Sequence, residues 1–89
     1  MLTPIRSNAF KREFKLMTNR GKDPAKFQEV ASMLMREIPL KPEHHDHKLQ
    51  SSYQGSRECH IEPDWLLIYT VRGNEIIFER TGTHSDLFR

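Results

Sequence analysis

Arg57–Arg80 reads RECHIEPDWLLIYTVRGNEIIFER, and its periodicity decides the fold. From Ser56 to Glu62 the pattern has a period of two: Cys59 and Ile61 fall on one face, Glu58, His60 and Glu62 on the other. That is a half-buried strand sending His60 away from the core. Glu62, Pro63 and Asp64 have turn chemistry. Leu66 to Val71 is almost continuously apolar, which predicts a central strand covered on both faces. Gly73 and Asn74 are turn residues, so Glu75 to Arg80 is the next antiparallel strand, with Ile76, Ile77 and Phe78 inside it. Trp65, Leu67 and Tyr69 share a strand parity, which predicts packing for both aromatic rings.

Upstream the period changes to that of a helix. Leu2 to Arg6 contains Pro4, which donates no backbone hydrogen bond, so a strand there is an edge strand. After Ser7, a good N-cap, Phe10, Phe14 and Met17 form one apolar stripe, while Lys11, Arg12 and Lys15 fall elsewhere on the wheel. Gly21 supplies the left-handed residue that ends this helix. Asp23 followed by Pro24 starts a second one, in which Phe27, Val30, Ala31, Leu34 and Ile38 repeat until Pro39. Met33 and Met35 flank that stripe as core or interface filler. Pro39 to Gly55 is a 17-residue segment with two prolines, a glycine and the cluster His44, His45, Asp46, His47, expected to be a catalytic or binding loop. The tail, TGTHSDLFR, leaves the sheet as a loop or a single helical turn. The expected architecture is α+β: an N-terminal αα-hairpin packed on a small antiparallel β-sheet, as one domain over residues 1–89.

Composition narrows the class. Eighty-nine residues build one modest core. One cysteine, Cys59, excludes an internal disulfide framework and a cysteine-based zinc cage, which suits a reducing cytoplasm. The N-terminus has no apolar run of signal-peptide length, and Trp65–Tyr69 is too short to span a bilayer. The net charge is +2, but residues 1 to 48 hold ten Lys/Arg against six Asp/Glu, and residues 49 to 89 hold four against six. A basic first half suits a polyanion such as RNA; it also suits a solvated helix face.

Four of the five histidines lie within His44 to His60. Histidine and aspartate are zinc ligands, so the tract HHDH raises a metal hypothesis, although adjacent loop residues converge on one ion only in a preset geometry. The other chemistry is acid–base. Cleaving RNA without a metal requires removal of the 2′-hydroxyl proton, stabilisation of charge on the phosphorane and protonation of the departing 5′-oxygen. His60, Asp64, Arg80 and His84 stand at strand ends and in the adjoining tail, where an antiparallel sheet brings them together. Each also has a plain structural reading: a surface histidine, or Arg80 paired with Asp64 or Glu79. Tyr53 and Phe88 are candidates to stack on splayed bases, and Trp65 adjoins the same turn.

The runs DHKLQSSYQGSRECHIEPDWLLIY and FERTGTHSDLF carry three patterns, DHxL, HIxPDWLLIY and RxGTHxxLF. In their order and spacing the chain resembles the YafQ branch of the RelE/ParE toxin superfamily, over essentially its whole length. The resemblance implies a ribosome-dependent, metal-independent mRNA endonuclease that cuts message in the decoding site, with no cofactor, held silent by a cognate antitoxin. Carried over by motif, DHxL gives His47 as a catalytic histidine. HIxPDW gives His60 and Asp64 with Trp65 beside them, and RxGTHxxLF gives Arg80, His84 and Phe88. His84 and Asp64 are then assigned to proton transfer, His47 and His60 to proton transfer or positioning, and Arg80 to the scissile phosphate. Phe88, Trp65 and Tyr53 would contact bases, and Lys11, Arg12 and Lys15 the ribosomal RNA. Ser51 stands where the pattern usually has glycine and Tyr53 where tryptophan is common.

Two rivals follow from the same residues. One is a same-fold interaction toxin of the ParE kind, in which the histidines are surface decoration. The other is a zinc-binding module built on HHDH and His60. An exposed edge strand and a basic face also suit a wrapping, acidic antitoxin segment.

Overall fold

The computed structural model describes residues 1–49 and 55–88. The elements run β1 (Thr3–Arg6), α1 (Asn8–Asn19), α2 (Pro24–Met35), a 3₁₀ turn (Pro42–His44), β2 (His47–Lys48), β3 (Arg57–Glu62), β4 (Trp65–Arg72), β5 (Glu75–Gly82) and α3 (His84–Leu87). The strands form one sheet in the order β1-β5-β4-β3-β2. The α+β class holds, and the apolar strand β4 is central. One expectation fails: the sheet is mixed, because β1 runs parallel to β5, pairing Thr3 with Glu75 through Arg6 with Phe78. A chain that leaves β1 directly into α1 and returns much later as β5 is free to pair either way, and Pro4 settles only that β1 lies at an edge.

The helix ends obey the local chemistry. Ser7 Oγ accepts from Phe10 N–H at 3.0 Å, and Asp23 Oδ1 from Ala25 N–H at 2.9 Å. At the end of α1, Gly21 N–H donates to Thr18 O and Lys22 N–H to Met17 O, the paired bonds of a Schellman ending, with Gly21 at φ +99°. The second helix closes the same way, Glu37 N–H to Leu34 O and Ile38 N–H to Met33 O, but there the left-handed residue is Glu37, at φ 58°. Helix α2 therefore stops at Met35, short of the Ile38 that periodicity alone suggests, and Ile38 is 38% exposed.

The two helices touch through Phe27, whose ring lies 5.4 Å from Phe10 and 5.0 Å from Phe14. Both cover one face of the sheet. Phe10, Met17, Val30 and Leu34 pack there with Cys59, Ile61, Trp65, Leu67, Tyr69 and Phe78. The opposite face has a smaller apolar patch of Leu66, Ile68 and Leu87, with Leu49 against it. Coverage of β4 on both faces lasts from Trp65 to Tyr69; Thr70 is half-buried and Val71 exposed. The expected 17-residue loop is partly regular, since it contains the 3₁₀ turn and β2, which pairs His47 with Glu58 and Lys48 with Arg57.

Candidate active site

The face of the sheet opposite the two helices collects the chemistry. Strand register lays His47, Glu58, Ile68 and Arg80 in one cross-strand row, and His60, Leu66 and Gly82 in the next. Alternation thus carries His60 and Glu58 to this face while Cys59 and Ile61 go to the core. A register shift between His60 and Glu62 breaks the parity. Glu62, expected beside His60, turns instead to the lysines of the αα-hairpin, Lys22 at 3.0 Å and Lys26 at 2.5 Å.

A close contact in the cluster joins Asp64, in the β3–β4 turn, to His84, the first residue of α3. Asp64 Oδ1 accepts from His84 Nδ1 at 2.6 Å and from the His84 backbone N–H at 2.9 Å. These bonds, the backbone one first, hold the Asp64 carboxyl below its usual range, so it is ionised at neutral pH. With Nδ1 occupied, the imidazole presents Nε2 outward. Short as it is, α3 is well fixed. Thr83 and Asp86 form a reciprocal capping box, with Thr83 Oγ1 accepting from Asp86 N–H at 3.1 Å and Asp86 Oδ2 from Thr83 N–H at 2.9 Å.

His60 lies between this pair and the upstream segment, its ring 5.6 Å from that of His84 and 5.2 Å from that of His45. Partial burial lowers its pKa and the neighbouring histidines push the same way; the Glu58 carboxylate opposes them. Glu58 is the member of the cluster that the sequence reading did not single out. It is only 6% exposed, and its Oε1 sits 3.5 Å from Nε2 of both His47 and His60, so one buried carboxylate bridges two imidazoles. Its strand parity with His60 was the available signal. His47 Nδ1 donates to His45 O at 2.6 Å.

The HHDH tract disperses. His44 is buried, with Nδ1 unpartnered among the described residues; His45, left-handed at φ 47°, lies beside His60; and His47 faces Glu58. Asp46 accepts from Tyr69 Oη at 2.6 Å and from Arg57 Nε at 3.2 Å, which fastens the residue before His47 to β3 and β4. Among the described residues no three His, Cys, Asp or Glu side chains are grouped to hold a metal ion.

Other expected residues divide. Trp65 is corrected: it is fully buried, packed in the helix-side core, and its Nε1 donates to Thr81 Oγ1 at 2.9 Å, so no ring face is offered to a base. Arg80 pairs with neither Asp64 nor Glu79. Its Nε and Nη2 reach Glu13 of α1 at 2.8 and 2.5 Å, while Glu79 is taken by Ser56 and Thr70. Phe88 follows α3 and is 42% exposed. Lys11, Arg12 and Lys15 are exposed along α1. Tyr53 and Ser51 lie outside the described residues.

Fold and site together define a small α+β protein with an acid–base cluster of histidines and carboxylates on the open face of its sheet. The sequence matches, over residues 2–89, the family described as bacterial toxin of type II toxin-antitoxin system, YafQ. It is 43% identical over 83 residues to an mRNA interferase toxin YafQ of Escherichia coli BL21-DE3, covering 92% of this chain and 90% of that one. Among solved structures, the E. coli DinJ–YafQ complex matches with a TM-score of 0.92 at 40% identity over the full length of both chains. A copper-bound mutant toxin from Helicobacter pylori matches with a TM-score of 0.94 at 38% identity, over 99% of this chain and all of that one. The chain belongs to the YafQ family of type II toxins.

Proposed function

We propose that this toxin is an mRNA interferase that cleaves message in the ribosomal A site through the RNA 2′-hydroxyl, without a metal or other cofactor, and so inhibits translation in the cytoplasm. The observation that carries the reading is the His84–Asp64 contact at 2.6 Å beside His60 and Glu58. Metal-free cleavage needs one neutral base and one proton donor, and the cluster provides a different environment for each. His60, whose pKa burial lowers, is neutral near pH 7 and takes the 2′-hydroxyl proton. His84, oriented by ionised Asp64, gives a proton to the departing 5′-oxygen; Asp64 thereby acts through His84 rather than on substrate. His47 and Glu58 position His60. Arg80, held in plane by Glu13, faces the charge that builds on the phosphate, and Phe88 stacks on a base.

The basic residues Lys11, Arg12 and Lys15 form no ion pair among the described residues, which supports a contact with ribosomal RNA. Their counterparts Arg20, Lys22 and Lys26 are each matched to a carboxylate. The solved complex of an E. coli YafQ with DinJ supports a cognate antitoxin as this chain's partner as well. No helix among the described residues is long and apolar enough to cross a membrane.

The test is to locate cut sites on message in a translating extract, with and without ribosomes and with excess EDTA. Cuts within codons, dependent on ribosomes and unchanged by chelator, are expected. Cleavage of naked RNA alone would contradict the ribosome-bound reading, and loss of cutting in EDTA would contradict the metal-free one.

A further inference from the structure

We propose that the turn joining α1 and α2, together with the first turn of α2, is a positioning device for the His84–Asp64 pair, with Arg20, Lys22 and Lys26 as its working residues; this rests on the acid–base reading above. Asp64 and His84 come from two short connections, the β3–β4 turn and α3; both side chains are exposed, and the apolar anchor of α3, Leu87, lies three residues beyond His84. Each is tied to the αα-hairpin turn by one carboxylate. Glu62, two residues before Asp64, receives Lys22 Nζ on Oε1 at 3.0 Å and Lys26 Nζ on Oε2 at 2.5 Å. Asp86, two residues after His84, receives Arg20 Nη1 on Oδ2 at 2.8 Å. The same Asp86 oxygen holds the Thr83 N–H, so the arginine bond extends directly into the cap of α3.

The hairpin turn is a suitable base because it is itself rigid. Gly21 and Lys22 close the Schellman ending on Thr18 and Met17, the latter only 1% exposed, and Asp23 caps α2. Arg20 Nη1 also lies 3.6 Å from Met17 Sδ, which ties the cation to the core. Gly82 lets α3 approach: a Cβ there would stand 2.9 Å from Asp86 Cβ, closer than two carbons sit. Exposed ion pairs contribute little to global stability, so a role in folding does not account for three cations converging on two carboxylates in one small turn. Geometry does, because misplacing reacting groups by about 1 Å can lower a rate by about a hundredfold.

The test compares the neutral variant Arg20→Met/Lys22→Met/Lys26→Met with the charge-keeping Arg20→Lys/Lys22→Arg/Lys26→Arg. Cleavage is read on ribosomes programmed with a short message, as kcat and KM, and His84 amide hydrogen exchange is read alongside. Expected for the neutral variant are a kcat about tenfold lower, KM within about twofold, and faster exchange at His84 with β4 unchanged. The charge-keeping variant should stay within about threefold of the parent. A rise in KM at constant kcat would overturn the proposal, since it would make these cations a ribosome-binding patch. So would an unchanged kcat in the neutral variant. If β4 amides also lose protection, Glu62→Gln alone decides: it leaves the cations in place, and unaltered kcat with it again refutes the positioning role. Should His84→Ala cleave as well as the parent, the acid–base reading fails instead, so the two failures are distinguishable.

Discussion

The two faces of the sheet follow opposite rules. Under the helices, Trp65, Leu67, Phe78 and Phe10 are all but sealed from water, and the buried polar groups are paired, Trp65 Nε1 to Thr81 Oγ1 and onward to Leu66 O, and Tyr69 Oη to Asp46. Across the sheet, a thin apolar patch supports His47, His60, Glu58, Asp64 and His84, most of them half-buried or exposed, with each carboxylate set against an imidazole. The first face is organised for packing density, and the second gathers titratable side chains. Alternation along β3 and β4 lets one segment serve both, because each second residue belongs to the other face.

That contrast can be broken most severely from the packed side. Trp65→Ala should cost about 3 to 5 kcal/mol, since it removes the largest buried ring and takes the indole donor from Thr81 Oγ1, which keeps only its bond to Leu66 O. Urea denaturation would show it, with cleavage and antitoxin binding lost together. On the open side, function and stability should separate. Glu58→Gln keeps size and hydrogen-bonding capacity but removes the charge between His47 and His60, and cleavage should fall about tenfold while the urea midpoint barely moves.

The same variant sharpens the comparison through pH. His60 has a lowered folded pKa, so its stabilising contribution is present above the ordinary histidine value of about 6.5 and is lost as pH falls from there through the folded value. Asp64, also lowered, contributes above about 3.9 and loses that contribution as pH falls through its own folded value. Activity that depends on neutral His60 should therefore keep an acid limb below about 6.5. Because the Glu58 charge raises the His60 pKa, Glu58→Gln should move that limb to lower pH. A pH–rate profile measures it, and an upward shift would be incompatible with the assigned roles.

The smallest effect lies away from both faces. Glu37 occupies the left-handed position that ends α2 and is exposed, so Glu37→Gly should stabilise by about 0.5 kcal/mol, relief of strain partly offset by a more flexible unfolded chain. Calorimetry would show a slightly higher Tm with unchanged cleavage.

What the sequence made legible follows the range of the forces involved. Ser7, Gly21, Asp23 and Pro24 act within a turn, and each did what its chemistry predicts. The parity of Cys59 and Ile61 against His60 was readable because a strand imposes it. Other features depend on longer-range contacts. The parallel pairing of β1 depends on a partner some seventy residues away. The early end of α2 depends on a glutamate accepting a conformation that glycine usually takes. The packing of Trp65, by contrast, was legible in its strand parity with Leu67 and Tyr69, and only its place beside Asp64 in the motif suggested a contact with bases. Glu58 was hidden as an ordinary strand carboxylate until register set it between two histidines. Arg80 was placed correctly on its strand, but its partner Glu13 lies on α1, beyond any local pattern.

The central claim, that the open face performs the chemistry and the packed face only carries it, is tested most directly by His84→Ala. Its cleavage rate on programmed ribosomes and its urea midpoint should be measured on the same preparation. The account predicts a rate lower by about a hundredfold or more with a midpoint close to the parent's. Undiminished cleavage by a fully folded variant would contradict it.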